Sequence, residues 1–145
     1  QVEECKTQLR AEGLPFEEDL PFGCMVEVPA SALEVGEIIS HGASFLYIAL
    51  DDLANFIYVH PKNEREEPRK TNTPVVKRLV RDVLDTAAAN NTPVTLCSIP
   101  LNQLDGMADY MRLGARSFCV ENAGIPGLKA SLMELDLSGQ RGQEA

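Results

Sequence analysis

Several patterns are missing from this 145-residue chain, and each absence removes a class of function. No run approaches the roughly 20 consecutive apolar residues that span a bilayer, so the sequence is not that of a helical membrane protein. Basic residues are few: 13 Lys and Arg against 22 Asp and Glu give a formal net charge of −9. That balance repels phosphates and argues against direct nucleic-acid binding, while favouring a basic partner. Cys5, Cys24, Cys97 and Cys119 are scattered without a CxxC pair or a Cys/His cluster, so metal-ligand spacing is absent. Free thiols of this kind fit a reducing, cytoplasmic compartment. The segments GIPG and GARS lack both the Walker lysine and GxGxxG spacing, so no nucleotide cradle is indicated. The start, QVEECKTQLR, has no apolar signal core, and nothing points to secretion.

What is present is enough apolar sequence, 44% hydrophobic residues, to build one core without a metal or disulfide staple. A single globular domain over residues 1–137 with a disordered tail over 138–145 is the expectation. Residues 2–12 predict a short helix ended by Gly13. Cys24 to Val28 reads as a strand stopped by Pro29, and Val35 to Ser40 as the next. Phe45 to Leu50 and Asn55 to His60 read as an antiparallel hairpin joined by Asp51, Asp52, Leu53 and Ala54. In that register Tyr47 faces Tyr58, Ala49 faces Phe56, and Phe45 faces His60 on one aromatic side, with Leu46, Ile48, Ile57 and Val59 on an aliphatic side.

Pro61 to Asn72 carries mixed charge without apolar period and reads as a solvated loop. The helix after it is the strongest local signal: Thr73 suits the N-cap, Pro74 the first turn, and Val75, Val76, Leu79, Val80, Val83, Leu84 and Ala87 form a stripe. It should end near Asn90 and Asn91. Val94 to Ile99 predicts a strand, Leu101 to Met111 a short helix interrupted at Gly106, and Gly114 to Glu121 a strand with Phe118 and Val120 inward. Leu128 to Leu137 fits either a helix or a strand. The fold class expected is α+β: a small curled antiparallel sheet or barrel packed by the 74–89 helix.

Catalytic constellations are weak in this reading. His41 and Ser44 lie in HGAS, which is not a GxSxG elbow, and turn chemistry accounts for it. Glu64, Glu66 and Glu67 alternate with Arg65 and Arg69 as solvated loops do. The aromatic face beside Asp51 and Asp52 is the better functional clue, because tyrosine and phenylalanine faces attract guanidinium groups and a carboxylate adds charge. The candidate peptide-binding residues are therefore Phe45, Tyr47, Phe56, Tyr58, Asp51 and Asp52, with Asp105 and Asp109 beside Tyr110 as an alternative. Burial of the four aromatics under the 74–89 helix is the competing structural explanation.

The order EIISHGASFLYIAL, an amphipathic helix, then MRLGARSFCVENAGIP resembles the pieces of an extended Tudor domain, a Tudor barrel embedded in a staphylococcal-nuclease-like fold. The resemblance implies a non-enzymatic scaffold of the kind that docks arginine-rich tails of Piwi proteins in germline granules, with methylated or unmethylated arginine as the guest. The sequence has no counterpart of that family's tryptophan-tyrosine-arginine strand, and with no Trp a complete dimethylarginine cage is not expected. The expected function is thus non-enzymatic binding of an arginine-containing peptide, with no cofactor. A dimerisation module and a small hydrolase built on His41 or His60 are the rivals.

Overall fold

The computed structural model describes residues 1–59, 70–98 and 106–133. Helix α1, Val2–Glu12, ends where Gly13 takes the left-handed conformation (φ 68°) and returns its amide to the Arg10 carbonyl. Strand β1, Gly23–Val26, gives way to two short helices, α2 (Pro29–Leu33) and α3 (Val35–Ser40), the first opened by Pro29. Strand β2, Phe45–Ala49, runs directly into α4, Leu50–Tyr58. Helix α5, Pro74–Ala89, starts where the Thr73 hydroxyl accepts from the Val76 amide. Its C-cap is Asn90, and Asn91 turns the chain at φ 53°. Strand β3 (Val94–Cys97), helix α6 (Met107–Arg112), strand β4 (Ser117–Phe118), a 3-10 turn over Asn122–Gly124 and helix α7 (Ile125–Met133) follow.

The four strands form one sheet in the order β1-β2-β3-β4, and every neighbouring pair is parallel. The expected antiparallel α+β barrel is therefore overturned. This is an α/β architecture in which helices carry the chain back between strands, as parallel pairing requires. The register aligns Val26, Ile48, Leu96 and Phe118 across the sheet, and Met25, Tyr47, Thr95 and Ser117 one residue before them.

Alternation sends these rows to opposite faces. Leu46, Ile48, Val26 and Leu96 are fully buried and join Ala32, Val35, Leu53, Val76, Val80, Val83 and Ala87 in the core. Helix α5 packs against α2, α3 and α4. The opposite face is left to Met25, Phe45 and Tyr47, all exposed, with Thr95 and Ser117.

The hairpin expected over 45–60 does not exist. Leu50, Leu53, Ala54 and Ile57 recur at helical spacing, and the first three are buried, so Leu50–Tyr58 coils onto the core as α4. Val35, Ile38 and Ile39 repeat the lesson in α3, where β-branched residues read as a strand wind as a helix whose Val35 is buried. His60, the Pro61–Arg69 part of the expected loop, Ile99 to Asp105, and the tail from residue 134 lie outside the described residues. Among the described residues no helix is long and apolar enough to cross a membrane.

Candidate active site

Parallel pairing puts the C-terminal ends of all four strands on one edge of the sheet, and open or barrel-closed parallel sheets bind their ligands beyond those ends. Along this edge the chain places Glu27 after β1, Asp51 and Asp52 after β2, Cys97 and Ser98 at the end of β3, and Cys119 and Glu121 after β4. Glu27 is exposed. Asp51 and Asp52 occupy the first turn of α4, where the exposed amide ends of the helix favour negative charge. Asp51 is 9% exposed and its Oδ1 accepts from the Asp52 amide at 2.9 Å.

Cys97 is buried beside β2, in register with Ala49, and its thiol donates to the Ile48 carbonyl at 3.4 Å. Burial pushes its pKa up, and the neighbouring thiol and carboxylates push the same way against a lowering contact from Ser98. The group is thus held as a protonated thiol at neutral pH, able to donate that proton to a group beside it. Ser98 directly after it sits at φ 57°, a left-handed conformation uncommon for a residue with a Cβ, and such backbone clusters at functional sites.

The aromatic candidates are not assembled on one face. Phe45 and Tyr47 remain neighbours on β2, edge to face with centroids 6.1 Å apart, and both are partly exposed. Phe56 and Tyr58 are on α4 instead, where Phe56 is exposed. The Tyr58 hydroxyl donates to Thr73 Oγ1 at 2.8 Å, which ties α4 to the start of α5, and Lys70 Nζ lies 5.4 Å over the Tyr58 ring. Asp51 and Asp52 are the members of that set that fall on the strand-end edge.

In the alternative set, Asp109 meets Lys77 Nζ at 2.6 Å and Arg112 at 3.0 Å, while the buried Tyr110 hydroxyl donates to the Thr71 carbonyl. Asp105 and His60 lie outside the described residues. His41 Nδ1 donates to the Glu37 carbonyl at 2.8 Å, capping α3. Sequence reasoning missed Glu27, Cys97 and Ser98, because each matters only once the strands are known to be parallel.

A family model described as PEP-utilising enzyme, PEP-binding domain, matches residues 1–137. The chain belongs to this family. Among the curated relatives, a phosphoenolpyruvate-protein phosphotransferase of Borreliella burgdorferi is 30% identical over 98 residues, covering 66% of this chain and 17% of that protein. A probable phosphoenolpyruvate synthase of Methanocaldococcus jannaschii is 30% identical over 99 residues, covering 67% of this chain and 8% of its own length. The chain therefore spans only a small part of these relatives.

Among solved structures, a citrate lyase from Burkholderia xenovorans superposes with a TM-score of 0.60 at 17% identity, over 86% of this chain and 41% of that one. The CITE protein of Mycobacterium tuberculosis, solved with magnesium and acetate, gives a TM-score of 0.57 at 14% identity, over 82% of this chain and 52% of its own. These likenesses place the fold with TIM-barrel-like α/β structures. The family and the parallel sheet together overturn the Tudor resemblance, the non-enzymatic scaffold and the arginine-peptide or Piwi partner, and they leave the germline granule without support.

Proposed function

We propose that this chain supplies part of the phosphoenolpyruvate site of a phosphoryl-transfer enzyme. The observation that carries the proposal is the row of Glu27, Asp51, Asp52 and Cys97 along the C-terminal ends of three adjacent parallel strands. Membership of a family described as PEP-binding supports it.

Phosphoenolpyruvate is a multiply charged anion, and carboxylates alone would repel it. A divalent cation held between these carboxylates and the substrate's own oxygens removes that conflict. Magnesium in particular is bound by one or two protein carboxylates plus phosphate oxygens rather than by an all-protein cage. Glu27 and Asp51 or Asp52 are hard oxygen donors that fit such a role. Among the described residues no group of three His, Cys, Asp or Glu side chains is gathered to hold a metal by itself, so a cation here would need the substrate's own oxygens as further ligands. The bound cation would neutralise charge on the phosphate.

Cys97 has the other role. When an acceptor nucleophile takes the phosphoryl group from phosphoenolpyruvate, the P–O bond to the enol oxygen breaks, the enolate of pyruvate remains, and its methylene carbon must gain a proton. The buried, protonated Cys97 thiol is the donor on this edge, and the reverse reaction uses its thiolate as the base.

Calorimetric titration of the chain with phosphoenolpyruvate, with and without Mg²⁺, tests the proposal. Binding that requires Mg²⁺ and weakens at least tenfold in Glu27→Gln and Asp52→Asn is expected. Mg²⁺-independent binding, binding indifferent to both substitutions, or no binding in any condition would refute it.

A further inference from the structure

Strands β3 and β4 pair in the register Thr95↔Ser117 and Leu96↔Phe118, and one residue beyond stand Cys97 and Cys119. The ladder reaches that far, because the Cys119 amide donates to the Leu96 carbonyl at 2.8 Å. The face can be read two residues upstream. Thr95 Oγ1 and Ser117 Oγ are 2.9 Å apart, so facing side chains of this strand pair touch there. With a side-chain period of two, Cys97 and Cys119 follow them on the same face. Neighbouring strands lie about 4.7–4.9 Å apart, inside the roughly 4.4–6.8 Å window of Cα separations that a disulfide bridges. Both thiols are reduced in this structure, Cys119 exposed and Cys97 buried.

We infer that Cys97 and Cys119 form a redox-sensitive dithiol that closes to an intramolecular disulfide under a peroxide-class oxidant. The exposed Cys119 reacts first: its sulfur attacks the peroxide, the O–O bond breaks, and Cys119 sulfenic acid forms as one water leaves. Cys97 Sγ then attacks the sulfenic sulfur, the S–S bond forms, and the hydroxyl departs with the Cys97 proton as a second water. Two thiols and one hydrogen peroxide thus give one disulfide and two waters, a two-electron oxidation of the protein.

The asymmetry of exposure sets the order, since the buried thiol, hydrogen-bonded to the Ile48 carbonyl, is shielded from the oxidant but adjacent to the sulfenic acid. Closure pulls Cys97 away from Ile48 and removes its proton from the strand-end edge. Directly opposed residues on parallel strands hold their Cβ atoms near the strand spacing, farther apart than the roughly 3.8 Å usual for a disulfide. The bond should therefore be readily reduced, as regulatory disulfides are.

The remaining cysteines are placed differently. Cys5 is exposed on α1, and Cys24 is on β1, two strands away from β3.

The test uses the chain carrying Cys5→Ser, which removes the exposed thiol on α1 that could link two molecules. After mild hydrogen peroxide and alkylation, non-reducing tryptic mass mapping should find peptide 82–112 joined to peptide 117–129, two hydrogens lighter than their sum and separated by dithiothreitol. Cys119→Ser should leave Cys97 fully alkylatable after the same treatment. Cys119 accumulating as sulfinic acid while Cys97 stays alkylatable would overturn the inference. So would both thiols remaining free at peroxide concentrations that oxidise Cys5 in the unsubstituted chain. The linked peptides form or fail to form whatever the strand ends bind, so this outcome is separate from that of the phosphoenolpyruvate proposal.

Discussion

Val59→Gly should stabilise the protein, and the size of the gain follows from one residue's backbone. Val59 closes α4 at φ 56° and ψ 39°, in the left-handed region, and its side chain is 85% exposed. A β-branched residue there suffers contact between its side chain and the backbone, at a cost of about 1–2 kcal/mol. Glycine removes that cost and loses almost no burial. Its greater freedom in the unfolded chain returns roughly 0.4–1 kcal/mol of the gain. The mid-range values leave a net of about 0.8 kcal/mol, equivalent to a rise in Tm of roughly 2–4 °C for a domain of this size. Chemical denaturation with an unchanged m-value, paired with a thermal melt followed by circular dichroism, would measure it. A variant equal to or less stable than the parent would refute the reasoning, because it would mean that Val59 makes a stabilising contact or does not hold this conformation.

Three further outcomes follow from the same geometry. Leu46→Ala, at a fully buried position, should cost about 2–5 kcal/mol in denaturant melts, whereas Tyr47→Ala on the open face should cost well under that. Asp109→Asn should lose up to about 1 kcal/mol at neutral pH, a modest figure because both partners of the Lys77 pair are partly exposed. The hydrogen bond from Lys77 holds the Asp109 carboxyl below its ordinary value of 3.8, so its stabilisation is full above that pH and disappears as pH falls through the lowered value. The two proteins should therefore converge in acid melts. Alkylation of Cys97, followed by mass mapping of peptide 82–112, should accelerate only at a more alkaline pH than an ordinary thiol requires, since burial raises its pKa.

Local signals were legible where the side chain itself decides the backbone. Thr73 and Pro74 fix the start of α5, its apolar stripe buries Val76, Val80, Val83 and Ala87, and Gly13 ends α1. Strand direction was not legible, because parallel and antiparallel strands have the same alternation, and it is tertiary pairing that separates Phe45–Ala49 from Leu50–Tyr58. The apolar positions Leu50, Leu53, Ala54 and Ile57 did carry the helical period, and counting them would have replaced the hairpin with a strand leading into a helix.

Asp51 and Asp52 are legible in the sequence as a carboxylate pair, but their place at a strand end is not. Glu27 and Cys97 have no sequence motif to mark them. They become neighbours of those aspartates only because β1, β2 and β3 point the same way.

Protection of Cys97 is the most direct test of the proposed phosphoenolpyruvate site. With Mg²⁺ and saturating phosphoenolpyruvate, alkylation of peptide 82–112 should slow several-fold while Cys5 on the exposed α1 reacts at an unchanged rate. Equal rates at Cys97 with and without the bound anion would contradict a site at the ends of these strands.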